Sequence, residues 1–361
     1  IASCLVGSEM CIRDRKKISA QVLFGKLLQE RAETGRIYLM NIDHANTHSS
    51  FQDKVSMSNL CQEITLPTVP LQHIDGDGEI ALCILSAINV GTLKDLDELE
   101  DLCEVAVRAL DEIIDYQNYP VTAAEISTKA RRSLGIGYIG LAHYLAKNQV
   151  KYGDKGALKV VHELTESFQY YLIKASVELA KEKGKCEYFD RTKYAQGELP
   201  IDHYKKDLDE VCSVKMKKNW DKLRKEIAEF GMRNSTLSAQ MPSESSSVVS
   251  NATNGIEPPR GFLSVKKSKK GPLKQIVPDY SRLKNFYTLL WDMPNNDGYI
   301  NVVAVMQKFF DQAISGNWSY NPTHYENNEV PMSVMFKDLL NTYKFCLLYT
   351  SPSPTRQEAI S

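Results

Sequence analysis

Long amphipathic patterns set beside short apolar stretches constrain this chain more than any other feature. Residues 96–116, 123–147 and 155–184 carry apolar side chains at helical spacing, and they follow an apolar, strand-like stretch at 79–90. Residues 18–31 form a further helical pattern through Ile18, Val22, Leu23, Leu27 and Leu28, with Gly35 as its C-cap. A short buried strand is predicted at 36–40 and loop at 41–60. A more charged helix is predicted at 204–230, and helices return at 280–291, 300–315 and 330–345. Between them lie a Ser/Thr/Asn-rich stretch after Gly231 and a turn-rich segment with Pro258, Pro259 and Gly261. Short strands mixed with long helices give an α/β fold within one domain.

Bulk properties narrow the function classes. A formal net charge of -1 argues against a general nucleic-acid or membrane-surface binder. No apolar run approaches the roughly 20 residues that span a bilayer, so no membrane association is expected. Residues 1–15 lack the pattern of a secretory signal. Eight irregularly spaced cysteines do not form a disulfide framework, and a reducing, cytoplasmic setting is expected. The N-x-Ser/Thr triplets at Asn234, Asn251 and Asn317 are then incidental.

The two ends are related to each other at the nucleotide level. One permitted coding of Ser8 to Asp14 has a reverse complement that, slightly extended, translates as Cys346 to Ser353. Such an inverted repeat resembles translated sequencing adapter. Residues 1–15 and 346–361 are therefore expected to be adapter-derived, leaving 16–345 as the natural segment, with Cys4, Cys11 and Cys346 carrying no function.

The most informative stretch is Ser58-Asn59-Leu60-Cys61-Gln62-Glu63-Ile64. Alternation in an extended loop would turn Asn59, Cys61 and Glu63 to one side. An amide can hold a hydroxyl, a carboxylate can take its proton, and a thiol can act as nucleophile, redox group or radical site. On residue grounds alone, a cysteine flanked by apolar residues is more commonly a small buried hydrophobe. Met241-Pro242-Ser243-Glu244-Ser245-Ser246-Ser247 reads as a helix start, and exposed N–H groups there suit an anion, though a plain capped helix is the commoner outcome.

Taken with Gly35-Arg36-Ile37-Tyr38 and Asn41-Ile42-Asp43-His44, the Ser58 to Ile64 stretch resembles the finger loop of class I ribonucleotide reductase large subunits. Further likenesses follow in order: Glu79-Ile80-Ala81-Leu82-Cys83, Arg131 to Gly137, Arg233 to Ala239, Met241 to Ser246 and Asn251 to Gly261. The nearest likeness is the bacterial class Ia type, which acts on ribonucleoside diphosphates. The resemblance implies the C-terminal part of a ten-stranded α/β barrel with an internal finger loop. It implies that Cys61 is the thiyl radical taking the 3′ hydrogen, that Glu63 accepts the 3′-hydroxyl proton, and that Asn59 orients the sugar. Cys83 would be one of two reducing cysteines, its partner lying upstream of Lys16. Pro242, Ser243, Glu244, Ser245 and Ser246 would cradle the substrate phosphates.

Further implications concern partners. They are a small (beta) subunit with a diiron-type centre that supplies the radical, and thioredoxin or glutaredoxin as reductant. ATP and dNTP effectors would bind at sites mostly outside this segment, and large subunits would form a homodimer. No metal or cofactor is expected in the chain itself, and the segment alone is expected to be inactive. The amphipathic stretch 330–345 lies where the family docks the small subunit's tail, with a core helix as the alternative, and the family's relay tyrosines would follow Phe345.

Other patterns carry less. Gly135-Ile136-Gly137-Tyr138-Ile139-Gly140 spells G-x-G-x-x-G, but helical patterns on both sides point to close helix packing rather than a dinucleotide site. A nicotinamide-dependent oxidoreductase built there would need a strand entering Gly135, and a non-catalytic docking relative is a second alternative. His44 and His48 sit in predicted loop without a third ligand. Asp75 to Glu79 reads as a turn rather than a calcium loop. Cys103, Cys186 and Cys212 are expected to be structural, and Lys266 to Lys270 a solvated turn.

Overall fold

The computed structural model describes residues 17–35, 37–73, 76, 78–268 and 271–352. In chain order its helices are α1 (Ala20–Thr34), α2 (Ile42–His48), α3 (Glu98–Tyr116), α4 (Thr122–Arg131), α5 (Leu141–Lys147), α6 (Lys155–Lys183), α7 (Pro200–His203), α8 (Trp220–Phe230), α9 (Glu244–Val249), α10 (Tyr280–Leu283), α11 (Asp297–Gln307) and α12 (Met332–Lys344). The strands are β1 (Leu39–Met40), β2 (Leu85–Asn89), β3 (Gly135–Ile139), β4 (Leu263–Ser268), β5 (Gly271–Ile276), β6 (Asn317–Trp318) and β7 (Tyr349–Pro352).

The organising element is a row of parallel segments. β2 pairs with β3 from Leu85 opposite Gly135 to Asn89 opposite Ile139. Extended residues 236–240 lie against β3, with Ile136 N–H donating to Leu237 O at 2.8 Å and Ala239 N–H to Ile136 O at 3.1 Å. Residues 312–315 lie against those in turn, through Gln240 N–H to Ala313 O and Ser315 N–H to Gln240 O. Parallel strands need cover on both faces, and β3 is buried along its whole length. The row forms part of a wall with α3, α6 and α11 packed outside it; a closed ring is not seen among the described residues. Phe168 of α6 stacks on Phe310 and meets Tyr138 of β3 edge-on, with ring centroids 5.3 Å apart in the second pair. α11 is mostly apolar and accordingly buried from Val302 to Gln307.

Several expected elements hold. α1 ends at Gly35, whose φ of 62° is the left-handed cap. α3, α6 and α12 fall where the apolar spacing put them. The expected single helix at 123–147 is instead α4, β3 and α5. Gly135 and Gly137 weaken a helix, while in the strand they admit close neighbours. A Cβ on Gly137 would lie 2.7 Å from Ala239 O, and Gly140 has a φ of 82°. The G-x-G-x-x-G glycines thus serve strand packing rather than helix packing. The strand runs through them instead of leading into them, so the nicotinamide alternative loses its phosphate-binding turn.

Other boundaries also move. The predicted loop at 41–60 contains α2, whose start Asn41 is pinned by its side-chain amide to Leu347 O. The strand at 36–40 shrinks to β1, and Tyr38 is exposed rather than buried. The strand at 79–90 is extended but ladder-paired only over β2. The charged helix at 204–230 is a 3₁₀ turn at Lys206–Glu210 and an α-helix only in α8, started by the Asn219 side chain accepting from Lys222 N–H. Residues 280–291 keep one turn, α10, and a short 3₁₀ turn at Leu290–Asp292. The helix at 300–315 stops at Gln307 because 312–315 belong to the wall. The basic run is not a plain turn: Lys266 and Lys267 lie in β4, which forms a hairpin with β5, while Lys269 and Lys270 fall outside the described residues.

At the C-terminal side, β7 pairs antiparallel with β1 and parallel with β6. Cys346, Leu347 and Leu348 are buried. Residues 1–15 and the tail after Pro352 lie outside the described residues.

Candidate active site

The Ser58 to Ile64 stretch is a tight turn rather than an alternating strand. Gln62 N–H donates to Asn59 O at 3.1 Å, closing the chain around Leu60 and Cys61, and Gln62 takes a φ of 64°. The turn brings Asn59 and Glu63 side by side, which alternation alone would not: Asn59 Nδ2 donates to Glu63 Oε2 at 2.8 Å. Asn59 Oδ1 accepts from Ile64 N–H at 3.2 Å, and Ser58 Oγ donates to Ile64 O. The same Nδ2 lies 3.9 Å from Cys83 Sγ, which comes from the stretch leading into β2. One amide therefore joins the carboxylate of the loop to a thiol from the wall.

Exposure separates the roles. Leu60 stands at the tip, 82% exposed, and Cys61 and Cys83 are both accessible free thiols. Glu63 is buried at 2%. Burial raises the Glu63 pKa, against the pull of its Asn59 hydrogen bond. Burial, then the Glu63 charge, raises the pKa of the Cys61 thiol. Cys83 is pushed up to about 11 by burial first, then by Glu63 and Cys61. Both sulfurs are thus held as S–H at neutral pH. A cavity of about 570 Å³ lies beside Cys83, lined also by Asn59, Leu66 and Val69; Cys61 and Glu63 do not line it.

The loop is fixed to the wall at both ends. Arg131, 1% exposed, donates to Glu79 at 2.5 and 3.0 Å and to Asp53 at 2.9 Å, while Arg191 also reaches Asp53. Its guanidinium sits near the rings of Phe51 and Tyr188. On the far side, Ala313 N–H donates to Glu63 O at 3.0 Å.

The second predicted stretch lies directly beyond wall residues 236–240. Ser243 is the N-cap of α9, and Pro242, Ser243 and Glu244 line a cavity of about 420 Å³ with residues 252–261 and the base of the β4–β5 hairpin. Ser245 and Ser246 are exposed and do not line it. Ser247, which lies inside the helix, does line it, and its Oγ accepts from Gly255 N–H. Sequence reasoning gave no role to Glu257, a carboxyl on this cavity's wall. Asn317 Nδ2 donates to it at 2.6 Å, and burial raises its pKa. Its only signal was membership of the Asn251 to Gly261 stretch.

The remaining patterns settle simply. His44 and His48 lie on α2 rather than in loop; His44 rests on the Tyr343 ring at 4.3 Å and His48 Nε2 lies 2.7 Å from Phe310 O. No group of three or more His, Cys, Asp or Glu among the described residues is arranged to hold a metal. Val69 bridges Glu79 antiparallel; of the predicted turn at Asp75 to Glu79, Asp75 and Asp77 fall outside the described residues. Cys103, Cys186 and Cys212 are buried. No helix among the described residues is long and apolar enough to cross a membrane.

Fold and site together define a parallel-stranded α/β wall carrying a thiol-bearing loop, with a second thiol beside it on the strand side. The family model described as the barrel domain of ribonucleotide reductase matches residues 7–347, and the chain belongs to that family. It is 58% identical to the ribonucleoside-diphosphate reductase subunit alpha of Haemophilus influenzae, over 92% of this chain and 45% of that protein. It is 54% identical to the ribonucleoside-diphosphate reductase 1 subunit alpha of Escherichia coli, over 92% and 44%. With the subunit alpha of Enterobacteria phage T4 it shares 45%, over 90% and 44%. The chain spans a little under half the length of these relatives.

Proposed function

We propose that this chain is the catalytic barrel segment of a class I ribonucleotide reductase large subunit, reducing ribonucleoside diphosphates to their 2′-deoxy forms. The observation that carries the reading is the Asn59 amide joining the buried Glu63 to the Cys83 thiol, with the Cys61 S–H near enough to feel the Glu63 charge. A cysteine that works as a nucleophile needs a lowered pKa; here both are raised, which suits sulfurs that give and take hydrogen. In this reading Cys61, as a thiyl radical, takes the 3′ hydrogen while Glu63 accepts the 3′-hydroxyl proton and Asn59 orients the sugar. The 2′-hydroxyl leaves as water. Two electrons come from Cys83 and a second thiol outside this chain, which close into a disulfide, and the hydrogen returns from Cys61 to C3′.

Pro242, Ser243, Glu244, Ser245 and Ser246 are proposed to hold the diphosphate, the first three supported by the cavity they line. A small beta subunit with a diiron-type centre would supply the radical, and thioredoxin or glutaredoxin would reopen the disulfide. ATP and dNTP effectors would act mainly outside this segment, in a cytoplasmic homodimer of full-length subunits. Residues 1–15 and 346–361 are proposed to be adapter-derived on the inverted repeat between them, which recovery of the gene from its source would check.

The test is cytidine diphosphate reduction by the full-length protein with its small subunit. Wild type should turn over repeatedly, Cys61→Ser should be inert, and Cys83→Ser should give no more than a single turnover. Repeated turnover by Cys61→Ser would refute the mechanism.

A further inference from the structure

The finger loop and the Cys83 strand are separate pieces of chain, and catalysis of the proposed kind needs their thiols in fixed register. Backbone pairing supplies this only indirectly, because β2 pairs with β3 rather than with the loop, and the loop's one such bond, Ala313 N–H to Glu63 O, comes from the far side of the wall. Beside the Asn59 amide and the Ala313 N–H to Glu63 O bond, a further link runs through a buried side chain. Gln312, 0% exposed, has Oε1 accepting from Thr65 N–H at 3.2 Å, just past Glu63. Its Nε2 donates to Leu134 O at 2.8 Å. The next residue, Gly135, donates its N–H to Ile84 O at 2.9 Å, immediately after Cys83. The backbone of Gln312 is equally engaged: its N–H donates to Ser238 O, and its O accepts from Gln307 Nε2.

We propose that Gln312 is a positioning residue that sets the register of the Cys61–Glu63 loop against the Cys83 strand. It touches no substrate. It acts by holding two backbones that do, and the claim rests on the function proposed above. Its chemistry is specific, since the bridge needs one acceptor and one donor on the same planar group. An amide provides both, a neutral carboxylic acid also provides both, and a carboxylate provides acceptors only.

This gives a test that a merely space-filling role would not pass. In the full-length enzyme with its small subunit, Gln312→Met should lower kcat by about 10- to 100-fold, the penalty of small misplacements at a reacting centre, with KM for the diphosphate within about twofold. Hydrogen exchange at the Thr65 amide should accelerate. Gln312→Glu should approach wild type at low pH, where burial keeps the new carboxyl protonated. Its activity relative to wild type should then fall as pH rises. A Gln312→Met enzyme with unchanged kcat and unchanged Thr65 exchange overturns the inference, as does a Gln312→Glu to wild-type ratio that is flat with pH. If Gln312→Met does not fold, the Gln312→Glu ratio decides. An inactive wild type overturns the proposed function as well, whereas the outcomes above, in an active enzyme, overturn only this inference.

Discussion

Replacing Gly137 by alanine should loosen the wall at one defined place. The added Cβ would meet Ala239 O at 2.7 Å and Gln240 Oε1 at 3.0 Å. The first of these is backbone and cannot rotate away, so the 236–240 segment must shift. That segment is held by Ile136 N–H to Leu237 O at 2.8 Å, and by the Gln240 amide, which both accepts from Tyr138 N–H and donates to Tyr138 O at 3.0 Å. Overpacking of this kind costs about 1–3 kcal/mol, and weakening one hydrogen bond adds about 1 kcal/mol. Alanine's smaller unfolded-state entropy returns roughly 0.4–1 kcal/mol. The net is about 2 kcal/mol, or roughly 30-fold in a local opening constant. Amide exchange in the full-length protein reads this directly, because it resolves local from global opening. Peptides covering 134–140 and 236–241 should exchange about 30-fold faster, with the α8 region unchanged. Equal or slower exchange in those peptides would refute the packing argument. Gly135→Ala should cost less, since its nearest neighbour is a Leu85 methyl group that can turn aside.

Asn59→Ala should move the acid limb of the kcat/KM profile upward, because the Asn59 hydrogen bond lowers the Glu63 pKa that burial raises; a limb that stays or falls would contradict the assignment. Arg131→Met should lower stability by about 3 kcal/mol, because it leaves the buried Glu79 with only the longer 3.5 Å contact to Arg191, read as a drop in the thermal midpoint. His48 and His162 are pushed down to about 4, His48 by burial and His162 by burial and the Lys308 charge, so both are neutral in the folded protein. The stability they confer is full above pH 6.5 and is lost as pH falls toward 4, since the unfolded chain takes up protons first. The thermal midpoint should fall over that window, and His48→Gln should flatten the fall.

Much of the site was legible because its chemistry is local in sequence. Asn59, Cys61 and Glu63 stand within five consecutive residues, and the structure joins Asn59 to Glu63 by a hydrogen bond. The reason for their meeting was not legible: alternation was expected, and a turn with Gln62 at positive φ does it. Gln312 escaped notice, and Arg131 stood only within a family likeness with no role, because their partners lie far away in sequence. The helix predicted across β3 failed for a related reason. Periodicity cannot register that Gly137 faces the carbonyl of Ala239, and a strand buried on both faces shows no alternation to find.

Arg131 ties Asp53 and Glu79 to one guanidinium, so the chain between them is pinned where it leaves and where it returns. In polymer terms it is a ring closed at its base and held again at Glu63 and Thr65 within its length. The entropy of such a ring grows only with the logarithm of its contour, about 0.6 kcal/mol for each doubling. Insertions on the outer flank, around residues 70–73, should therefore leave the reactive tip in place, while a single charge reversal at Asp53 should loosen the base of the ring.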